Sequence, residues 1–209
     1  MPESAPESAL DEAAEQPRLP ALTRVLTSPP GRVLLPLVAL AGLILLHDRS
    51  LPGGGPIDIY LLGLLIAFIA VIVWIPRFGV GLLRSDGRPR LLRHWARWAA
   101  APVMGLAVAG LVYFDVPFTA RFALSEASLE RVARAVATGS EPESGDGWVG
   151  LYPVTSIERI EDGARFLVSD TGFLDEYGFA WSPKGPPTEE SRTVYTHMDG
   201  PWYLWESRW

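Results

Sequence analysis

Three apolar runs, at residues 33–46, 57–75 and 98–114, organise the first half of the chain, and short alternating segments organise the second. The second run is the clearest. It has nineteen residues with one glycine (Gly63), an acid near its entrance (Asp58), and an aromatic ring towards each end, Tyr60 and Trp74, placed for a headgroup belt. Pro76 is expected to end it. The first run has fourteen residues, fewer than the roughly 20 of a spanning helix. Starting after Pro29-Pro30, with Arg32 reaching to the headgroups, extends it to a short span at about 31–47. In the third run Ala101, Gly105 and Ala109 recur every four residues and so line one helix face, where small side chains let helix backbones approach closely in lipid. Leu91, Trp95 and Trp98 share a face just before it and suit an interfacial segment. Three transmembrane helices are predicted, at about 31–47, 57–75 and 98–114.

The 76–97 segment carries Arg77, Arg84, Arg88, Arg90, Arg93 and Arg97 against a single acid, Asp86. Short Arg-rich loops stay in the cytoplasm. Alternation from that loop places the glycine-rich turn at 51–56 outside, the N-terminal tail inside, and everything after Phe114 outside. Were the first run not to span, the tail would change side and the last domain would not.

In the second half, 118–124 alternates as a strand does, and Ser125 stands as a helix N-cap, with Leu124 and Leu129 spaced for a hydrophobic staple. Leu129, Val132, Ala133 and Val136 follow at helical spacing. After a polar loop, strands are predicted at 148–152, 154–160, 164–169, 177–181, 193–196 and 202–206, with hairpin turns at Glu161-Asp162-Gly163 and Met198-Asp199-Gly200. The fold class is therefore a membrane α-helical region (29–114) after a tail (1–28), followed by a small α+β domain (115–209), one helix on an antiparallel sheet. Fifteen aromatic residues from Phe114 onward supply the core such a domain needs.

Composition narrows the function. The net charge of −6 conceals a last domain with sixteen acidic and eight basic residues, which argues against a nucleic-acid partner. Cysteine is absent, which removes disulfides, thiolate metal sites and cysteine nucleophiles together. The tail, rich in Pro, Glu, Ser and Ala, reads as disordered. No ionisable residue lies deep in a run, which disfavours an ion pathway. The glycine-rich turn lacks the Gly-Lys-Ser/Thr of a phosphate loop and reads as a flexible connector. The acid-rich loop at 141–146 lacks the spaced ligands of a calcium loop. Two weak catalytic candidates stand out. Asp170-Thr171-Gly172 carries the triplet of aspartic proteases but is also good turn chemistry. His197 with Asp199 and Asp175 offers the residue types of a triad or metal site, without a nucleophile elbow or a third metal ligand at a defined spacing. No cofactor or metal is expected.

The wording Gly172-Phe-Leu-Asp175, then Tyr177-Gly-Phe-Ala-Trp-Ser-Pro183, then Tyr195-Thr-His-Met-Asp-Gly-Pro-Trp-Tyr203 resembles a group of uncharacterised bacterial three-pass membrane proteins with an outside tail. The resemblance covers mainly the last ninety residues, implies no activity and carries over no catalytic residue. The expectation is a non-enzymatic plasma-membrane protein whose acidic outer domain binds a membrane or envelope partner. The alternative is an accessory subunit of a transport or secretion complex docked through Ala101, Gly105 and Ala109, and a weaker one is an extracytoplasmic hydrolase.

Overall fold

The computed structural model describes residues 33–83, 95–140, 147–172, 175–188 and 192–208. The N-terminal tail, Arg84, Arg88, Arg90, Arg93 and the loop 141–146 lie outside them. Among the described residues four helices come first: α1 (Leu34–Asp48), α2 (Ile57–Leu83), α3 (Trp95–Tyr113) and α4 (Val116–Ala137). Six strands follow: β1 (Gly147–Val149), β2 (Tyr152–Ile160), β3 (Gly163–Val168), β4 (Glu176–Trp181), β5 (Thr193–His197) and β6 (Trp202–Ser207).

This corrects the expected three spanning helices followed by a one-helix domain. Helix α1 has 15 residues, which at 1.5 Å per residue is about 22 Å, short of a hydrocarbon core of about 30 Å. Two helical stretches, Ile57–Val80 in α2 and all of α3, are long and apolar enough to cross a membrane. Only 11% of the apolar window of each is buried, the opposite of a soluble protein's core helix. Leu61, Leu65, Phe68 and Ile72 of α2 face outward, a continuous apolar surface of the kind that soluble monomers avoid. Pro76 does not end α2, which continues through it to Leu83. Proline is tolerated inside such a helix where neighbouring groups satisfy the freed backbone.

The segment 118–124 is helix, not strand. Helix α4 is 22 residues long, with a proline in its first turn, and follows α3 after a turn in which Asp115 takes φ 51°. Its buried positions are Phe122, Ser125, Leu129, Ala133 and Val136, a 3-4-4-3 spacing that winds one stripe along a helix. Leu124 is 75% exposed and staples nothing. The Ser125 hydroxyl is not a cap: it donates to the Arg121 carbonyl at 2.8 Å and accepts from the Leu151 N–H at 3.0 Å.

The sheet is antiparallel throughout, in the order β1-β2-β3-β4-β6-β5. Its strands form at the alternating segments, although Gly150 (φ 62°) and Leu151 turn the chain early and end β1 at Val149. One sheet face receives the α4 stripe around an aromatic centre. Phe122 stands 5.2 Å from Phe179 and 5.6 Å from Trp202, and Tyr152 stands 4.8 Å from Phe179.

The glycine-rich segment between α1 and α2 is not a flexible connector. Leu51 belongs to the sheet domain's core, and Pro52 is fully buried. Gly53 (φ 70°) lies so close to the Tyr177 ring that an added Cβ would overlap it, and the Gly172 N–H donates to the Gly54 carbonyl at 2.9 Å. Arg121 of α4 closes the joint. Its guanidinium donates to the Leu151 carbonyl at 3.1 and 2.6 Å and to the Ser50 hydroxyl at 2.8 Å, and it lies 4.7 Å from the centre of the Tyr152 ring. Burial pushes the Tyr152 phenol well above its ordinary pKa and lowers that of Arg121. Both directions follow from withdrawing a charged form from water. Arg121→Met keeps the stem and removes the charge, and should lower stability by about 2 kcal/mol. Arg134→Met, on the exposed side of α4, should cost less than about 1 kcal/mol. Thermal melts of the purified full chain followed by circular dichroism check both values.

Candidate functional site

Helices α2 and α3 meet at one end and part towards the other, with α1 between them. At the closed end the Trp74 indole donates to the Trp98 carbonyl at 3.3 Å and stacks on Phe78 at 4.8 Å, while Phe78 meets Trp98 at 5.9 Å. Trp74 thus ties two helices together, a role distinct from the headgroup belt expected of it. Close packing along α1 comes from two glycines that the sequence pattern does not single out as contacts. A Cβ on Gly42 would meet Val108 of α3 at 2.8 Å, and one on Gly63 would meet Ile44 of α1 at 2.9 Å. Each receives a side chain of the facing helix against its backbone.

Beyond the aromatic tie the helices leave a cleft of about 470 Å³, within the usual range of small-molecule sites. Its walls are apolar and include Leu45, Leu64, Val71, Gly105, Val108 and Ala109. The predicted small-residue stripe lies along this cleft. All three residues line it; Ala101 is also buried against Leu34 and Ala70, whereas a Cβ on Gly105 would meet nothing within 4 Å. The stripe opens a space more than it closes a helix contact within the chain. Arg97, in the first turn of α3, is exposed and lies outside the cleft lining.

Polar side chains line the cleft only at its open end, next to the sheet domain. There the Arg49 guanidinium stands 5.7 Å from the centre of the Tyr60 ring. Asp48 beside it is turned inward, 4% exposed, and its carboxylate accepts the Gly55 N–H at 3.1 Å. A second hollow of about 170 Å³ adjoins this mouth, shares Arg49 and Tyr60 with it, and is walled by Gly53, Gly54, Gly55 and Gly172. Sequence reasoning missed Arg49. The available signal was that it closes one apolar run while Tyr60 opens the next, so a helical hairpin brings them to the same end.

The sheet face away from α4 holds a polar cluster. Arg165 pairs with Glu158 at 2.7 Å, lies 5.1 Å from the centre of the Trp205 ring and reaches the Tyr195 hydroxyl at 3.5 Å. Burial opposes its charge, but the bonds to Glu158 and Tyr195 outweigh burial and hold its pKa above the ordinary value. A side chain at Gly178 would collide with the Phe166 carbonyl and with the Trp205 indole, which donates to that carbonyl at 2.9 Å. Arg165 thus ties β2, β5 and β6 together across this face.

The two catalytic candidates are not brought together. His197 ends β5 and is in register, through Tyr203 and Ala180, with Arg165 near the start of β3. Asp170 follows the other end of β3. The His197 ring bonds the Gly200 carbonyl at 3.0 Å and packs edge-on against Tyr203 at 5.1 Å. Asp170 is exposed at φ 55° in a turn that Thr171 closes by donating to the Val168 carbonyl at 3.0 Å. Among the described residues neither hydrogen bonds to nor ion-pairs with a second acid, and no group of three His, Cys, Asp or Glu could hold a metal ion.

No protein-family model, no curated protein and no solved structure matches the chain.

Proposed function

We propose that the chain is a non-enzymatic integral membrane protein that admits an apolar ligand sideways from the bilayer into the cleft between α2 and α3. The observation that carries this reading is the cleft itself: a large apolar space between two bilayer-length helices, walled by Gly105 and Ala109 and polar only at one mouth. The Arg-rich segment joining α2 to α3 is assigned to the cytoplasm by the charge rule. The α+β domain then stands outside, over the open end of the cleft.

Filling the space tests the binding reading. Gly105→Leu with Ala109→Leu adds two bulky side chains where little or nothing is touched, so the fold should persist while co-purifying lipid falls at least several-fold by mass spectrometry. Loss of a protein partner in place of lipid would favour the accessory-subunit reading. A protein partner retained by the filled variant, with lipid unchanged, would move recognition to the outer domain. Topology has its own test. A reporter enzyme active only outside the cytoplasm, fused after Trp209, should be active, and a silent fusion that is well expressed would overturn the assignment.

A further inference from the structure

We infer that the cleft is built for an anionic phospholipid, with acyl chain between α2 and α3 and the headgroup phosphate on Arg49 beside Tyr60. The inference rests on the cleft reading above and names its ligand. Three observations carry it.

The first is the distribution of polarity. The walls are aliphatic or small over most of the cleft, and charge enters only through Arg49 at one end. That is the polarity profile of a lipid standing in its own leaflet. A sterol or a partner's apolar helix would leave the open side of the guanidinium without a hydrogen-bond acceptor.

The second is the state of Arg49. Its contact with Asp48 is a single Nε···Oδ2 approach of 4.0 Å, outside hydrogen-bonding range, and its side chain is 51% exposed. No described residue accepts a hydrogen bond from the guanidinium, while the nearby carboxylate is occupied by Gly55 and faces inward. The other acid close by in sequence, Asp58 in the first turn of α2, does not line the cleft. His47, on the preceding turn, is exposed and adds no negative charge. A guanidinium whose planar fork is open and whose position is steadied by an aromatic ring suits a phosphate, which it can bind through two parallel bonds.

The third is room. The glycine-walled hollow shares Arg49 and Tyr60 with the cleft, so a headgroup and its chain can occupy the two spaces at once; Asp48 also lines it, with one carboxylate oxygen taken by the Gly55 N–H and the other 4.0 Å from Arg49 Nε. A Cβ at Gly53 would overlap the Tyr177 ring, and one at Gly172 would meet the Asp175 carbonyl and that ring, so this wall is backbone at both positions.

The test uses the full chain in neutral micelles supplied with equal phosphatidylglycerol and phosphatidylcholine, with retained lipid counted by native mass spectrometry. The wild type should retain phosphatidylglycerol in preference by roughly tenfold, because the choline cation of phosphatidylcholine offsets the phosphate charge that both lipids offer to Arg49. Arg49→Gln should lose that preference while still carrying lipid, and Arg49→Lys should recover part of it. Glycerol phosphate, which offers the same anion without a chain, should not compete. Equal retention of the two lipids by the wild type would overturn the inference, as would a preference that survives Arg49→Gln. Competition by glycerol phosphate alone would make the ligand a free anion and overturn it too. These outcomes leave the cleft reading standing provided Gly105→Leu with Ala109→Leu still expels lipid. Lipid retained by that filled variant would overturn the cleft reading itself.

Discussion

The Arg121 guanidinium holds one cation among a carbonyl from the sheet, a hydroxyl from the α1–α2 connector and the face of Tyr152. The carbonyl and the ring belong to the consecutive residues Leu151 and Tyr152, and the hydroxyl to Ser50, so one cation bridges two distant parts of the chain. The joint explains why the α1–α2 connector is docked. Leu51 and Pro52 enter the sheet domain's core, and the glycines after them fit under Tyr177 because they have no side chain. A polar domain and an apolar helical layer, which would otherwise share only the short α3–α4 turn, become one body.

The shape of the helical layer follows from where glycine permits contact. Gly42 and Gly63 draw α1 onto both neighbours, and α1 is then a wedge that keeps α2 and α3 apart beyond the Trp74–Trp98 tie. The cleft is a consequence of that wedge. Because α1 ends at the joint, Asp48, Arg49 and Ser50 are consecutive residues that serve, in turn, the connector, the cleft mouth and Arg121. Occupancy of the cleft and seating of the sheet domain are therefore mechanically adjacent.

Much of this was legible in the sequence. Alternation located the strands because the sheet has one face on α4 and the other partly solvated, the situation in which a two-residue period survives. Length and hydropathy located α2 and α3. The start of α4 was not legible: Phe118, Ala120, Phe122 and Leu124 satisfy a strand period as well as Phe118, Phe122 and Ser125 satisfy a helical one, and only the position of the sheet selects the helix. Helix α1 was overextended because a run of fourteen apolar residues sits at the boundary between spanning and packing lengths. The Ala101-Gly105-Ala109 stripe was seen, but spacing alone cannot say whether a smooth face is pressed against a neighbour or left open. The docking of the glycine-rich connector depends on Tyr177 and Arg121, about 120 and about 70 residues further along the chain, so no local pattern announces it.

The rigid joint is tested most directly by a distance. The chain has no cysteine, so Ile72→Cys on the outward face of α2 and Arg159→Cys on β2 introduce two spin labels alone. Pulsed dipolar spectroscopy in lipid nanodiscs should give one narrow distance distribution, which Arg121→Met broadens. A broad distribution in the otherwise unaltered chain, unchanged by Arg121→Met, would contradict the account.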